Sequence, residues 1–183
     1  LIEVEVFYQT TAYPAQSFTD YKIFVPDEYI AIGGGIVGTN SGNGNYMIAS
    51  YPTDDLSAWV VSSHDHVYQV SSAITGYAIG LKIKGMTSDE LKHYVAVNQK
   101  SSPAAQHTTI SAKVPTGYLQ VGGGAQLSWS GWGNLFHTSG PTNNNTEWTV
   151  RSGDHLQVSH AVTKAYSIGI LPSIPGIGDI EVN

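Results

Sequence analysis

The chain has 183 residues, 41% of them hydrophobic, enough for one sizeable core or two small ones, which makes a disordered chain a poor reading. Eight Lys and Arg against fourteen Asp and Glu give a net charge of -6 without a basic run, so nucleic acid is a poor partner. The absence of cysteine removes disulfides, thiolate chemistry and cysteine metal sites. Charged residues are only 12%, whereas Gly reaches 20 and Tyr 11, a mixture that suits strands and turns and predicts an all-β protein.

Ile2, Val4 and Val6 alternate with Glu3 and Glu5, which predicts a half-buried strand with the glutamates solvated. Tyr21–Val25, Tyr29–Ile32, Tyr46–Ala49, Trp59–Val61, Val67–Val70 and Tyr77–Ile83 read as further strands, separated by Pro, Gly, Asn and Ser clusters. Thr87 to Glu90 has the form of a capping box, but Leu91–Val97 aligns with the first strand, so one helical turn at most is expected. No basic-then-apolar leader and no apolar run near the length of a membrane span occurs, and the chain is expected to be a soluble mature or excised product.

The segment VPDEYIAIGGG at Val25–Gly35 returns as VPTGYLQVGGG at Val114–Gly124, an offset of 89. The same offset carries Ser41-Gly42 onto Ser130-Gly131, Asn45 onto Asn134, Trp59 onto Trp148, and Asp65-His66 onto Asp154-His155. A tandem duplication is therefore read, with repeats at residues 1–88 and 89–177. Doubling the offset sets Ile180, Glu181 and Val182 on Ile2, Glu3 and Val4, so residues 178–183 are expected to form a strand that closes or swaps a sheet edge, unless the chain was cut from a longer array. About seven short strands per copy is the cadence of a β-sandwich, with a β-prism as the competing arrangement.

The glycine runs Gly33–Gly35 and Gly122–Gly124 lead into no helix and precede no Lys-Ser or Lys-Thr pair, so they read as a bulge or tight bend and not as a phosphate cradle. Adjacent residues on a strand point to opposite faces, so Asp65 does not orient His66, nor Asp154 His155, as a general base without a turn between them. No catalytic constellation is read, and no enzyme activity or cofactor is expected. His64 and His66 have the spacing of two metal ligands on one strand face, but Gly153 stands at the duplicate of His64, and no metal site is assigned.

Trp59 and Trp148 hold matching positions and read as core. Trp129 and Trp132, in the stretch SWSGWGN, are matched by Asn40 and Asn43, so these indoles serve something the copies do not share, a ligand or a neighbouring subunit. Indoles stack on the C–H face of a pyranose while amides and hydroxyls pair with its hydroxyls, which makes Asn40, Asn43, Asn45, Tyr46, Trp129, Trp132 and Asn134 the candidate ligand residues. Asp54, Asp55, Asn143 and Asn145 are possible additions. The expected function is an extracellular, lectin-like carbohydrate-binding protein with a glycan or glycoconjugate as partner. The alternative is a storage, carrier or structural subunit of a large secreted oligomer, with an apolar small molecule or pigment held at an interface. Asn144 in Asn144-Asn145-Thr146 is a candidate glycosylation acceptor, which fits secretion.

Overall fold

Period-two patterning builds strand after strand along this chain, with one short helix among the described residues, between its two halves. The structure, a computed structural model, describes residues 1–38, 45–129, 131–142 and 144–182, with residue 129 described in its backbone alone. In chain order the N-terminal half contains β1 (Ile2–Thr10), β2 (Ser17–Phe24), β3 (Ile30–Gly38), β4 (Tyr46–Pro52), β5 (Ala58–His64) and β6 (Ile74–Ile83). After α1 (Ser88–Lys92), the C-terminal half contains β7 (Val95–Ser101), β8 (His107–Lys113), β9 (Leu119–Trp129), β10 (Asn134–Pro141), β11 (Glu147–Asp154) and β12 (Ala161–Ile170). The short strands β13 (Ser173–Ile174) and β14 (Gly178–Asp179) end the described fold.

The molecule is all-β, with antiparallel sheets that do not close among the described residues. One sheet has the order β1-β6-β3, another β10-β11-β8, and a six-stranded sheet runs β2-β5-β4-β9-β12-β7. The six-stranded sheet consists of three strands from each half, joined where β4 meets β9 at Ala49↔Gln126 and Ser50↔Ala125. Within the N-terminal half, β1-β6-β3 faces β2-β5: a Cβ on Gly76 of β6 would meet Ile23 Cδ1 at 2.3 Å, and one on Gly34 of β3 would meet Trp59 Cδ1 at 2.3 Å. Likewise β9 faces β11 in the C-terminal half, where a Cβ on Gly123 would lie 2.3 Å from Trp148 Cδ2. Glycine is thus required at the middle of each run because an indole lies on its backbone. The bulge expected at the first run is present, as a register shift between Ala31 and Gly33.

Both indoles donate to a serine: Trp59 Nε1 to Ser50 Oγ at 2.8 Å and Trp148 Nε1 to Ser139 Oγ at 2.9 Å. Trp59 is fully buried and sits in the main core with Ile23, Ile30, Val61, Ile74 and Leu81. Trp148 is only half-buried.

Four expectations are corrected. The row Ile2, Val4, Val6 and Tyr8 is exposed at 46%, 60%, 55% and 71%. Glu3 and Glu5 instead face the Tyr29 hydroxyl, which donates to Glu5 Oε2 at 3.0 Å, and Phe7 packs edge-on against the Tyr29 ring. Val67–Val70 forms no strand, because the Asp65 carboxylate accepts from the Val70 and Asn45 amides at 2.7 and 3.0 Å and ties the segment into a loop. Leu91 and His93 belong to the helical turn rather than to a strand: the capping box forms, with Thr87 N donating to Glu90 Oε2 at 2.8 Å and Glu90 N to Thr87 Oγ1 at 3.2 Å, and Leu91 is buried beneath it. Strand β7 then places Val95 opposite Ile170, where β1 places Val4 opposite Leu81. Finally, the tail folds back on itself: β14 pairs with β13, Ile180 N donates to the Pro172 carbonyl at 2.7 Å, and Val182 is 41% exposed, so among the described residues it closes no edge of the larger sheets.

The β4–β5 turn is fixed by Asp55, whose carboxylate accepts from Thr53 Oγ1 at 2.7 Å, Ser57 N at 3.0 Å and Ser57 Oγ at 2.8 Å. The Thr53 hydroxyl, followed by Ser57, lowers the Asp55 pKa to about 2. A depressed folded-state value means that the stabilisation is present above the unfolded pKa near 4 and is lost as pH falls through about 2. Asp55→Ala is therefore expected to melt below the wild type at neutral pH, with the gap narrowing between about pH 4 and pH 2. A gap in thermal melting that stays constant across that window would refute the assignment.

Candidate functional site

Of the predicted ligand residues, Asn45 and Asn134 are committed to the fold. Asn45, in the left-handed region at φ 57°, is buried; its Nδ2 donates to the carbonyls of Ala15 at 3.0 Å and Val70 at 3.1 Å, and its Oδ1 accepts from Ser63 Oγ at 2.9 Å. Asn134, fully buried, donates through Nδ2 to the carbonyls of Gln106 at 2.8 Å and Ser159 at 3.0 Å and to Asp154 Oδ1 at 3.2 Å. These amides pin loops together and have no face turned to a ligand. The two aspartates bond to the same networks, which separates them from the histidines that follow them in sequence.

The histidines do meet, across the two halves. His66 Nδ1 donates to the Trp132 carbonyl at 2.5 Å, so in the neutral ring Nε2 is the acceptor. It accepts from His155 Nδ1 at 3.0 Å, with the ring centroids 5.0 Å apart. This polarity leaves the lone pair of the exposed His155 ring on Nε2. His64 is fully buried; burial lowers its pKa and keeps it neutral, and its ring meets the Trp132 indole edge-on at 5.7 Å. Gly153 replaces His64 in the C-terminal half because a Cβ there would lie 2.5 Å from His107 Nδ1 and 2.6 Å from His137 Cε1. Among the described residues no group of three or more His, Cys, Asp or Glu is placed to hold a metal ion.

Two shallow clefts flank the histidine pair. One, of ≈ 330 Å³, is lined by His66, Val67, Tyr68, Gln69, Trp132 and Gln157. The other, of ≈ 590 Å³, is lined by Tyr46, Met47, Leu135, Phe136, His137, Asp154 and His155. Trp132 is 37% exposed and Tyr68 64%, so the first cleft offers two aromatic rings beside two carboxamides. Tyr46, 40% exposed, stands edge-on to His66 at 6.2 Å and belongs to the second. The narrow loop under Trp132 is enforced by its neighbours, since a Cβ on Gly133 would lie 1.9 Å from the Gln157 carbonyl.

The structure thus brings together Tyr46 and Trp132 around His66. Asn40, Asn43 and Asn143 lie outside the described residues, as does the Trp129 side chain. Asp54, Asp55 and Asn145 sit at the turns beyond Pro52 and Pro141, at the opposite ends of β4 and β10 from Tyr46 and Asn134, about 20 Å away along the strand. Asn144 is exposed in the β10–β11 turn, its Oδ1 accepting from Thr142 Oγ1 at 2.7 Å. Sequence reasoning missed Tyr68, Gln69 and Gln157; the signals for them were the Asp-His pair that opens each loop and the offset of 89, which sets Tyr68 on Gln157.

No family model, curated protein or solved structure matches this chain. What the coordinates define is an all-β protein with antiparallel sheets, in which no helix among the described residues is long and apolar enough to cross a membrane.

Proposed function

We propose that the chain is a carbohydrate-binding, lectin-like protein built from two pseudo-equivalent β-sandwich halves, acting outside the cell. The observation that carries this reading is the cleft of Trp132 and Tyr68 with the Gln69 and Gln157 carboxamides. Half-exposed rings offer a flat apolar surface to the C–H face of a sugar, and each carboxamide supplies both a donor and an acceptor for vicinal hydroxyls. The cleft is at the small end of the ligand-site range and open, which suits a single sugar ring at the end of a glycan. The β11–β12 loop brings Gln157 and the β5–β6 loop brings Tyr68 and Gln69, so both halves contribute to one site. The exposed Asn144 acceptor supports the extracellular assignment.

A glycan array followed by tryptophan fluorescence titration tests it. Trp132→Ala and Tyr68→Ala are each expected to weaken binding about ten- to a hundredfold, roughly 1.4–2.8 kcal/mol, with the fold intact. Silence on the array, or a Trp132→Ala protein that binds as the wild type does, would remove the reading.

A second reading, a subunit of a larger assembly, is favoured by the exposed apolar row Ile2, Val4, Val6 and Tyr8. It is compatible with the first, because many sugar-binding surfaces gain avidity by repetition.

A further inference from the structure

We infer that His107 and His137 form a binding site for a divalent transition-metal ion of the zinc or copper class, set over the backbone of Gly153. The sheet β10-β11-β8 brings the three residues side by side. His107 on β8 lies opposite Gly153 on β11, and Leu135 of β10 lies opposite Gly153 on its other side. Between Phe136 and Thr138 the β10 register slips, so His137 is the extra residue of a β-bulge, and its ring comes back over Gly153. A Cβ on Gly153 would lie 2.5 Å from His107 Nδ1 and 2.6 Å from His137 Cε1, so those two atoms are within about 5 Å of each other. Cε1 stands between the two ring nitrogens, and a turn of the His137 imidazole brings one of them toward His107. Two nitrogens on one zinc, each at about 2.0–2.1 Å in tetrahedral geometry, are roughly 3.3 Å apart. Both side chains are exposed and free to close that distance.

The fold itself asks for no imidazole at these places. At the matching bulge of β4, between Met47 and Ala49, the extra residue is Ile48, 5% exposed and part of an apolar cluster. On β5 the place of Gly153 is held by His64, and the residue opposite it on β2 is Ser17. The N-terminal half thus has its imidazole on the central strand, whereas the C-terminal half has a hydrogen there and an imidazole from each flanking strand. No positive φ requires glycine at position 153, so what the glycine provides is room. Among the described residues neither the His107 nor the His137 ring makes a hydrogen bond. By contrast, the facing nitrogens of His66 and His155 are occupied by each other, and His66 Nδ1 by the Trp132 carbonyl. Imidazole suits Zn²⁺, Cu²⁺ and Ni²⁺, and with no thiolate and no third protein ligand among the described residues, water fills the remaining positions. Two ligands, with the cationic Arg151 on the same face of β11, make an open site of moderate affinity. His137 borders the cleft of ≈ 590 Å³ and not the Trp132 cleft, so this site is independent of the sugar-binding reading.

Calorimetric titration of the full chain with Zn²⁺ and with Cu²⁺ tests the site. Saturable uptake of one ion per chain is expected, whereas Ca²⁺ and Mg²⁺, which take oxygen ligands, should give none. His107→Ala and His137→Ala should each weaken uptake about tenfold or more while melting like the native chain in the absence of metal. His93→Ala and His160→Ala should leave it unchanged. Gly153→Ala, which puts a methyl group into the gap, should weaken uptake with both imidazoles still present. Paramagnetic Cu²⁺ at substoichiometric amounts should broaden the ring-proton resonances of His107 and His137 before those of the other five histidines. No saturable uptake up to about 1 mM Zn²⁺ overturns the inference. So does uptake that is undiminished in either the His107→Ala or the His137→Ala chain, or broadening that reaches His66 and His155 first.

Discussion

Trp59→Ala is expected to lower the unfolding free energy by about 3–5 kcal/mol, and Trp148→Ala by less than half as much. The two indoles have the same chemistry, each lying on a glycine backbone and donating to a serine hydroxyl. What differs is the surface already removed from water. Trp59 is fully buried among Ile23, Ile30 and Val61, so its loss leaves a cavity that rigid strands on every side cannot fill, and Ser50 Oγ loses its donor. Trp148 borders an open cleft and is only half-buried, so its truncation forfeits less transfer free energy and creates no enclosed void. Urea denaturation followed by circular dichroism, at a protein concentration low enough to avoid association, gives both values. Equal losses would mean that the junction of β4 with β9 does not shelter Trp59 as described.

The fold class was legible because period-two alternation and glycine- and asparagine-rich turns act locally. The same locality explains what was not. The alternation at Ile2–Val6 marks a strand with two unlike faces, but which face meets the core depends on where Tyr29 lies, and no sequence period encodes that. Asn45 and Asn134 look like ligand residues because asparagine in a glycine-rich loop is common to binding loops and to buried loop clamps. Only the carbonyls of Ala15, Val70, Gln106 and Ser159, distant in sequence, decide for the clamp. The offset of 89 did mark the residues that come together: His66 and His155, equivalent by sequence, touch in space. It also sets Tyr68 on Gln157, which share one cleft, but the residue types differ between the halves, so no repeated motif drew attention to the position.

Asn134→Asp, nearly isosteric, is expected to cost about 3–5 kcal/mol at neutral pH, far more than its change of shape would suggest. The wild-type Nδ2 faces three acceptors, the carbonyls of Gln106 and Ser159 and the Asp154 carboxylate, from a fully buried position. Replacing that amine with oxygen aims an acceptor at acceptors and, when ionised, places a second carboxylate beside Asp154 with no cation in reach of either among the described salt bridges. Desolvation and like charge both favour the protonated acid, so the folded-state pKa of the new group lies above its unfolded value. The ionisation penalty is therefore complete above the folded pKa, shrinks as pH falls, and vanishes below the unfolded value near 4. Paired denaturation curves of wild type and variant from pH 7 down to pH 4 should converge in stability. A variant that stays within about 1 kcal/mol of the wild type across the range would show that Asn134 faces water rather than the three acceptors.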